Sequence, residues 1–185
     1  MSYDRDYSPL SVLPSTQDHI NGVLNAAIVL VLYGDYQSSQ SADVYRLLKV
    51  VQQQLSVSFG ANYACFIFRH FLQRQIHPQA QHAAEAAEAA AVQGQFWQMH
   101  DILFTHSQEL GNGYLVEYAN RLGLDIYQFL QDLSKQTHAD RINQDIEGGL
   151  NSGVTTAPAL FINGIRYRDR WNMEQLMAVI TAVNH

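Results

Sequence analysis

The feature that most constrains this chain is a pair of short, wholly apolar runs with an amphipathic stretch between them. Ile28-Val29-Leu30-Val31-Leu32-Tyr33 is rich in β-branched residues and is closed by Gly34-Asp35, and Tyr63 to His70 is apolar on both faces through Phe68. Runs this short, apolar at successive positions, predict strands that are covered on both sides. Between them Val44, Leu47, Leu48, Val51 and Leu55 recur at helical spacing, which predicts a helix over 42–56 with Gly60 just past its end. Strand, helix and strand in this order make a βαβ unit with a buried parallel pair.

The pattern then changes. From 79 to 152 no strand signal stands out, and helices are predicted over 80–93, 96–106, 115–122 and 126–135. Asp125 followed by Gln128, and Thr137 followed by Asp140, resemble capping boxes, the second opening a helix that runs to about 151. Strand signals return at 159–162 and 165–168 around Asn163-Gly164, a strong hairpin turn. A last helix covers 172–183, with Met173, Leu176, Met177 and Ile180 on one face. The fold class that follows is α/β: a βαβ half and a ββα half, the thioredoxin architecture, with an all-helical insertion between them.

At 185 residues and 47% hydrophobic content the chain suits one domain with a real core. We take 1–17 as a flexible N-terminal arm and 18–185 as a single domain with its helical insert at about 79–152. A net charge of −6 argues against nucleic-acid or anionic-membrane partners. Nothing at the N-terminus reads as a signal peptide, and the longest apolar stretch, 26–33, falls short of the ~20 residues that span a bilayer. A cytoplasmic protein is expected, and the sequence leaves room for a homodimer. The single cysteine, Cys65, excludes an internal disulfide, a cysteine-based zinc site and a dithiol redox pair.

Several strings carry a family resemblance. Asp18-His-Ile-Asn-Gly22, Leu32-Tyr-Gly-Asp-Tyr36, Phe68-Arg-His-Phe71, His77-Pro-Gln-Ala80, Gln93-Gly-Gln-Phe-Trp-Gln-Met-His-Asp101, Gly153-Val-Thr-Thr-Ala-Pro158 and Leu160-Phe-Ile-Asn-Gly164 together resemble bacterial DsbA-like thioredoxin-fold proteins. In that family a Gly-Asp-Tyr/Phe string leads into Cys-x-x-Cys at a helix start, where unpaired N–H groups stabilise a thiolate. The resemblance puts Ser38 and Ser41 at the two cysteine positions, with Ser39 and Gln40 between. A hydroxyl cannot replace sulfur in disulfide exchange, so dithiol–disulfide activity is expected to be lost. The resemblance also implies a cis bond at Ala157-Pro158, whose backbone faces the site and pairs with an extended peptide or a thiol ligand. Ala157, Pro158, Tyr36 and Gln40 are the ligand-binding candidates.

Three functions are compatible with these residues. The first is a redox-inactive binding module for a peptide, protein or small thiol. The second is a glutathione-dependent transferase or isomerase using Ser38, since kappa-class glutathione transferases and 2-hydroxychromene-2-carboxylate isomerases use a serine near this position. Glutathione is the one cofactor left open. The third is an oxidoreductase whose cysteines were mutated. Other residues read more plainly. Ser38 suits an N-cap. Cys65, inside a predicted strand, suits the core. Phe96 and Trp97 suit the core of the insert. His77 and His82, His100 and Asp101, and His106 show no zinc-helix spacing, so no metal is expected. Arg166, Arg168 and Arg170 around Tyr167 and Trp171 read as a solvated strand face.

Overall fold

A computed structural model of the chain describes residues 9–183. Its elements follow in the order β1 (His19–Asn21), β2 (Ile28–Gly34), α1 (Ser39–Phe59), β3 (Ala64–His70), α2 (Ala80–Val92), α3 (Phe96–Thr105), α4 (Asn112–Arg121), α5 (Ile126–Lys135), α6 (Ala139–Asn151), β4 (Ala159–Ile162), β5 (Ile165–Arg166) and α7 (Met173–Val183). The sheet order is β1-β3-β2-β4-β5. The two apolar runs pair in parallel, Leu30 opposite Phe66, as a βαβ crossover requires. β4 runs antiparallel along the other edge of β2, and β5 returns beside it. This is the α/β architecture read from the sequence: βαβ and ββα halves with helices α2 to α6 between them.

Alternation along the strands divides the core between the two sheet faces. Leu30, Leu32, Phe66, Phe68, Leu160 and Ile162 face α1, α7 and the insert in the larger cluster. Val31, Tyr33, Cys65, Ile67 and Phe161 face the other way, against Leu10, Phe71 and Val154. Alanine and glycine allow the insert to lie close. Seven alanines of α2 from 80 to 90 are fully buried, and a Cβ on Gly149 of α6 would stand 2.7 Å from the Phe71 ring. The Asn163-Gly164 turn has positive φ at both residues, 47° and 81°, as a type I′ hairpin demands.

The structure departs from the sequence expectations in several places. β1 was not anticipated, because three half-buried residues give no periodic signal; it pairs antiparallel with β3. Of the segment expected to be a flexible arm, Pro9 and Leu10 lie against the sheet. Pro9 bridges Ile165, Leu10 N–H donates to Gly164 C=O at 2.8 Å, and Leu10 is buried. The rest of the expected arm, 1–8, is outside the described residues. α1 starts at Ser39 rather than 42 and ends at Phe59. β5 stops at Arg166 rather than 168. The expected capping box at Thr137 is absent: Thr137 N–H donates to Asp132 C=O in the left-handed end of α5, and His138 N–H is satisfied by Glu85 of α2. A tertiary partner has taken over a local capping role.

Candidate functional site

The mouth of the sheet lies where β2 ends, α1 begins and the loop after α6 approaches. Ser38 is the N-cap of α1, and its Oγ accepts from Ser41 N–H at 3.1 Å. That bond satisfies one of the donors a helix start leaves open. Ser41 is fully buried, with its Oγ accepting from Asp35 N–H at 3.3 Å. The two positions where the DsbA-like resemblance places thiols are therefore filled by hydroxyls engaged in local backbone hydrogen bonds. Ser39 and Gln40 are exposed on the first turn.

Asp35 is the residue that sequence reasoning missed. It is fully buried, and it ties together the two sides of the mouth. Its Oδ1 accepts from Gln37 N–H at 2.9 Å, and its Oδ2 accepts from Gln73 N–H at 2.9 Å and lies 2.9 Å from His77 Nδ1. Gln37 Oε1 in turn accepts from Gln79 N–H at 2.7 Å. The β2–α1 turn and the segment between β3 and α2 are thus held by one carboxylate. An acidic residue directly after a buried strand was the available signal, though its partners lie 38 and 42 positions away.

The Ala157–Pro158 peptide is cis, and Ala157 N–H points to Gln73 Oε1 at 3.3 Å. Gln37, Ser38, Ser39, Gln40, Gln73, Ile76, His77, Gln108, Thr156 and Ala157 line a cavity of about 600 Å³. Its wall is mainly amide and hydroxyl, with the His77 imidazole and Ile76 beside them and no lysine, arginine or carboxylate. Pro158 forms the wall of a second hollow of about 230 Å³, shared with Arg166, Arg168 and Trp171. The structure thus brings Ser38, Gln40 and Ala157 to one cavity, with Pro158 in the wall of the other hollow.

Tyr36 is not there. Its ring is fully buried between Phe68 and Phe104, and its hydroxyl meets His100 Nδ1 at 2.6 Å. Burial pushes the Tyr36 phenol well above its ordinary pKa, and burial likewise pushes the His100 imidazole well below its own. Tyr36 was expected to touch a ligand; a ring following Asp35 in a tight turn instead points down into the core. Cys65 sits in β3, fully buried, and burial followed by the nearby Asp18 charge raises its thiol to about 11. It supplies no thiolate at neutral pH. Trp97 packs beside the core, as expected.

A mixed sheet, a capped helix start and a cis-proline loop closing over it define a thioredoxin-like scaffold with a helical insertion. The chain belongs to the thioredoxin family, whose description, Thioredoxin, matches residues 15–182. Its fold is shared with DsbA-like proteins, and Ser38-Ser39-Gln40-Ser41 stands at the start of α1. It is similar to oxidised BdbD from Bacillus subtilis, with TM-score 0.80, 18% identity, and 96% of this chain and 98% of that one covered. It is also similar to a thioredoxin-like oxidoreductase from Silicibacter pomeroyi, with TM-score 0.75, 19% identity, and 97% and 96% covered. At these identities the likeness is one of fold. In sequence it is 37% identical over 166 residues to a Na(+)/H(+) antiporter NhaA 1 of Salinispora arenicola, covering 90% of this chain. The chain spans about a quarter (24%) of that relative's length. Among the described residues, no helix is long and apolar enough to cross a membrane.

Proposed function

We propose that this is a redox-inactive, DsbA-like binding module that holds an extended peptide in the groove between the start of α1 and the Ala157-Pro158 loop. The observation that carries the reading is the lining of that groove. It retains backbone and amide hydrogen-bonding groups and offers hydroxyls alone where exchange chemistry needs thiols. A peptide carbonyl can take the Ala157 N–H from Gln73 Oε1, whose 3.3 Å contact is at the long end for a hydrogen bond. Gln37, Gln40, Gln73 and Gln108 then offer amides of both polarities to a peptide backbone. The glutathione reading has less support. Glutathione brings two carboxylates to a wall without lysine or arginine, and the Ser38 hydroxyl is buried and already capping α1. The reading in which an oxidoreductase has lost its cysteines by mutation shares this groove and differs only in origin.

The antiporter relatives, in which a region like this fills about a quarter of the protein, support a place beside a membrane transporter. A cytoplasmic location goes with this reading and is checked by cell fractionation.

Fluorescence anisotropy with reduced, alkylated insulin B chain tests the binding role. Saturable binding that Thr156→Arg abolishes is expected; no binding, or binding indifferent to Thr156→Arg, rejects the groove. Insulin reduction by dithiothreitol is expected to proceed at the uncatalysed rate with the native chain. Catalysis there would sink the redox-inactive assignment, and catalysis gained by Ser38→Cys with Ser41→Cys would show the remaining site intact.

A further inference from the structure

Away from the groove, β1, β3 and α2 converge on a set of side chains that the binding reading does not use. His19 pairs across the strands with Phe68, so His70, two positions on, lies diagonally beside it on the same sheet face. The buried alanines of α2 bring the helix down onto that face, and Glu88 reaches both rings. His19 Nε2 and His70 Nε2 each lie 2.7 Å from Glu88 Oε1, and one donor atom from each of the three residues falls within 4.8 Å of the others. His19 is stacked on Phe96, with ring centroids 3.5 Å apart.

We propose that His19, His70 and Glu88 form a binding site for a divalent transition metal of the zinc class, which clips the insert helix α2 to the β1–β3 edge of the sheet. Two imidazoles and one carboxylate suit zinc rather than magnesium or calcium, which prefer all-oxygen shells. Metal–ligand bonds of about 2.0–2.2 Å place tetrahedral donors roughly 3.3 Å apart, so the two hydrogen bonds open by about 0.6 Å to admit the ion. The carboxylate is available. Glu88 Oε1 already faces the Nε2 atoms of both imidazoles. His70 Nδ1 has no hydrogen-bond partner among the described residues. Its proton can therefore pass from Nε2 to Nδ1 without breaking a bond there, freeing the Nε2 lone pair. The His19 side chain keeps 15% exposure, which gives the ion a route in and leaves its fourth position for water.

Isothermal titration of the full chain, stripped with a chelator, with zinc chloride tests the site. One equivalent of saturable uptake is expected, with the thermal midpoint rising as zinc increases and cobalt giving tetrahedral ligand-field bands. His19→Ala, at the exposed edge of the cluster, should weaken uptake at least about tenfold, the loss seen even for outer-shell partners. His82→Ala, on the side of α2 toward α4, where His82 meets Asn112, should not. Absence of saturable uptake, uptake indifferent to His19→Ala, or equal loss in His82→Ala overturns the proposal. Glu88→Gln is a second variant. If it does not fold, His19→Ala decides alone.

Discussion

The groove and the seam beneath the insert make opposite use of polar side chains. The groove is lined mainly by amides and hydroxyls, with the His77 imidazole in its wall braced from behind by Asp35. The seam holds two nearly buried sets, Tyr36 hydrogen-bonded with His100, and His19 and His70 hydrogen-bonded with Glu88. In a thioredoxin-like scaffold the reactive group is expected at the helix start. Here the imidazole that burial shifts, His100, lies in the core instead. Changes of pH should therefore act on folding, whereas changes at the helix start should act on binding and only mildly on stability.

The strongest test of that contrast is Glu88→Ala. Removing the carboxylate strands two imidazoles in the seam, and breaking a buried charged cluster typically costs about 3–5 kcal/mol. Urea unfolding should reveal that loss, with peptide affinity unchanged in the folded fraction; a loss below about 1 kcal/mol would deny the seam its structural role. Asp35→Ala acts from the other side. It leaves Gln37 N–H and Gln73 N–H without partners, costs about 1–3 kcal/mol, and should also weaken peptide binding, because both walls of the groove hang on it. Full retention of binding would separate the brace from the groove.

Acidity gives the third test. The His100 imidazole is depressed by burial, so below about pH 6.5 the unfolded chain takes a proton the native state refuses. Stability should fall with decreasing pH from there, by about 1.4 kcal/mol per pH unit for one proton. Glu88 adds to this only at lower pH. Its folded pKa is depressed, so its contribution is present above the unfolded value of about 4.3 and is lost as the pH drops through the folded one. Urea midpoints measured from pH 7 to pH 4 should slope downward, and a flat profile would place the seam in water. The smallest effect belongs to Ser38→Ala, about 1 kcal/mol for a lost N-cap. A much larger loss of stability would mean that Ser38 does more than cap.

Much of the fold was legible because it rests on local rules. Ile28–Tyr33 and Tyr63–His70 announced buried strands by composition, and Asn163-Gly164 announced its turn by the need for positive φ. Ser38 and Asp125 announced their caps. Where the sequence misled, a distant partner had intervened. Tyr36 looked like a ligand contact until the turn at Asp35 sent its ring inward to His100. Thr137 looked like a cap until Glu85 supplied one. The segment before Asp18 looked free until Leu10 and Pro9 settled on β5.

By itself the sequence determined the order of the elements after β1 and the absence of a thiol pair, since strand and helix periodicity and residue identity are properties of neighbours along the chain. Only the tertiary structure decided that Asp35 holds both walls of the groove, and that His19, His70 and Glu88 meet. The last two are 18 positions apart and the first lies 69 positions from Glu88. Sheet register and the close approach of an alanine-rich helix, not sequence spacing, determine which of them touch.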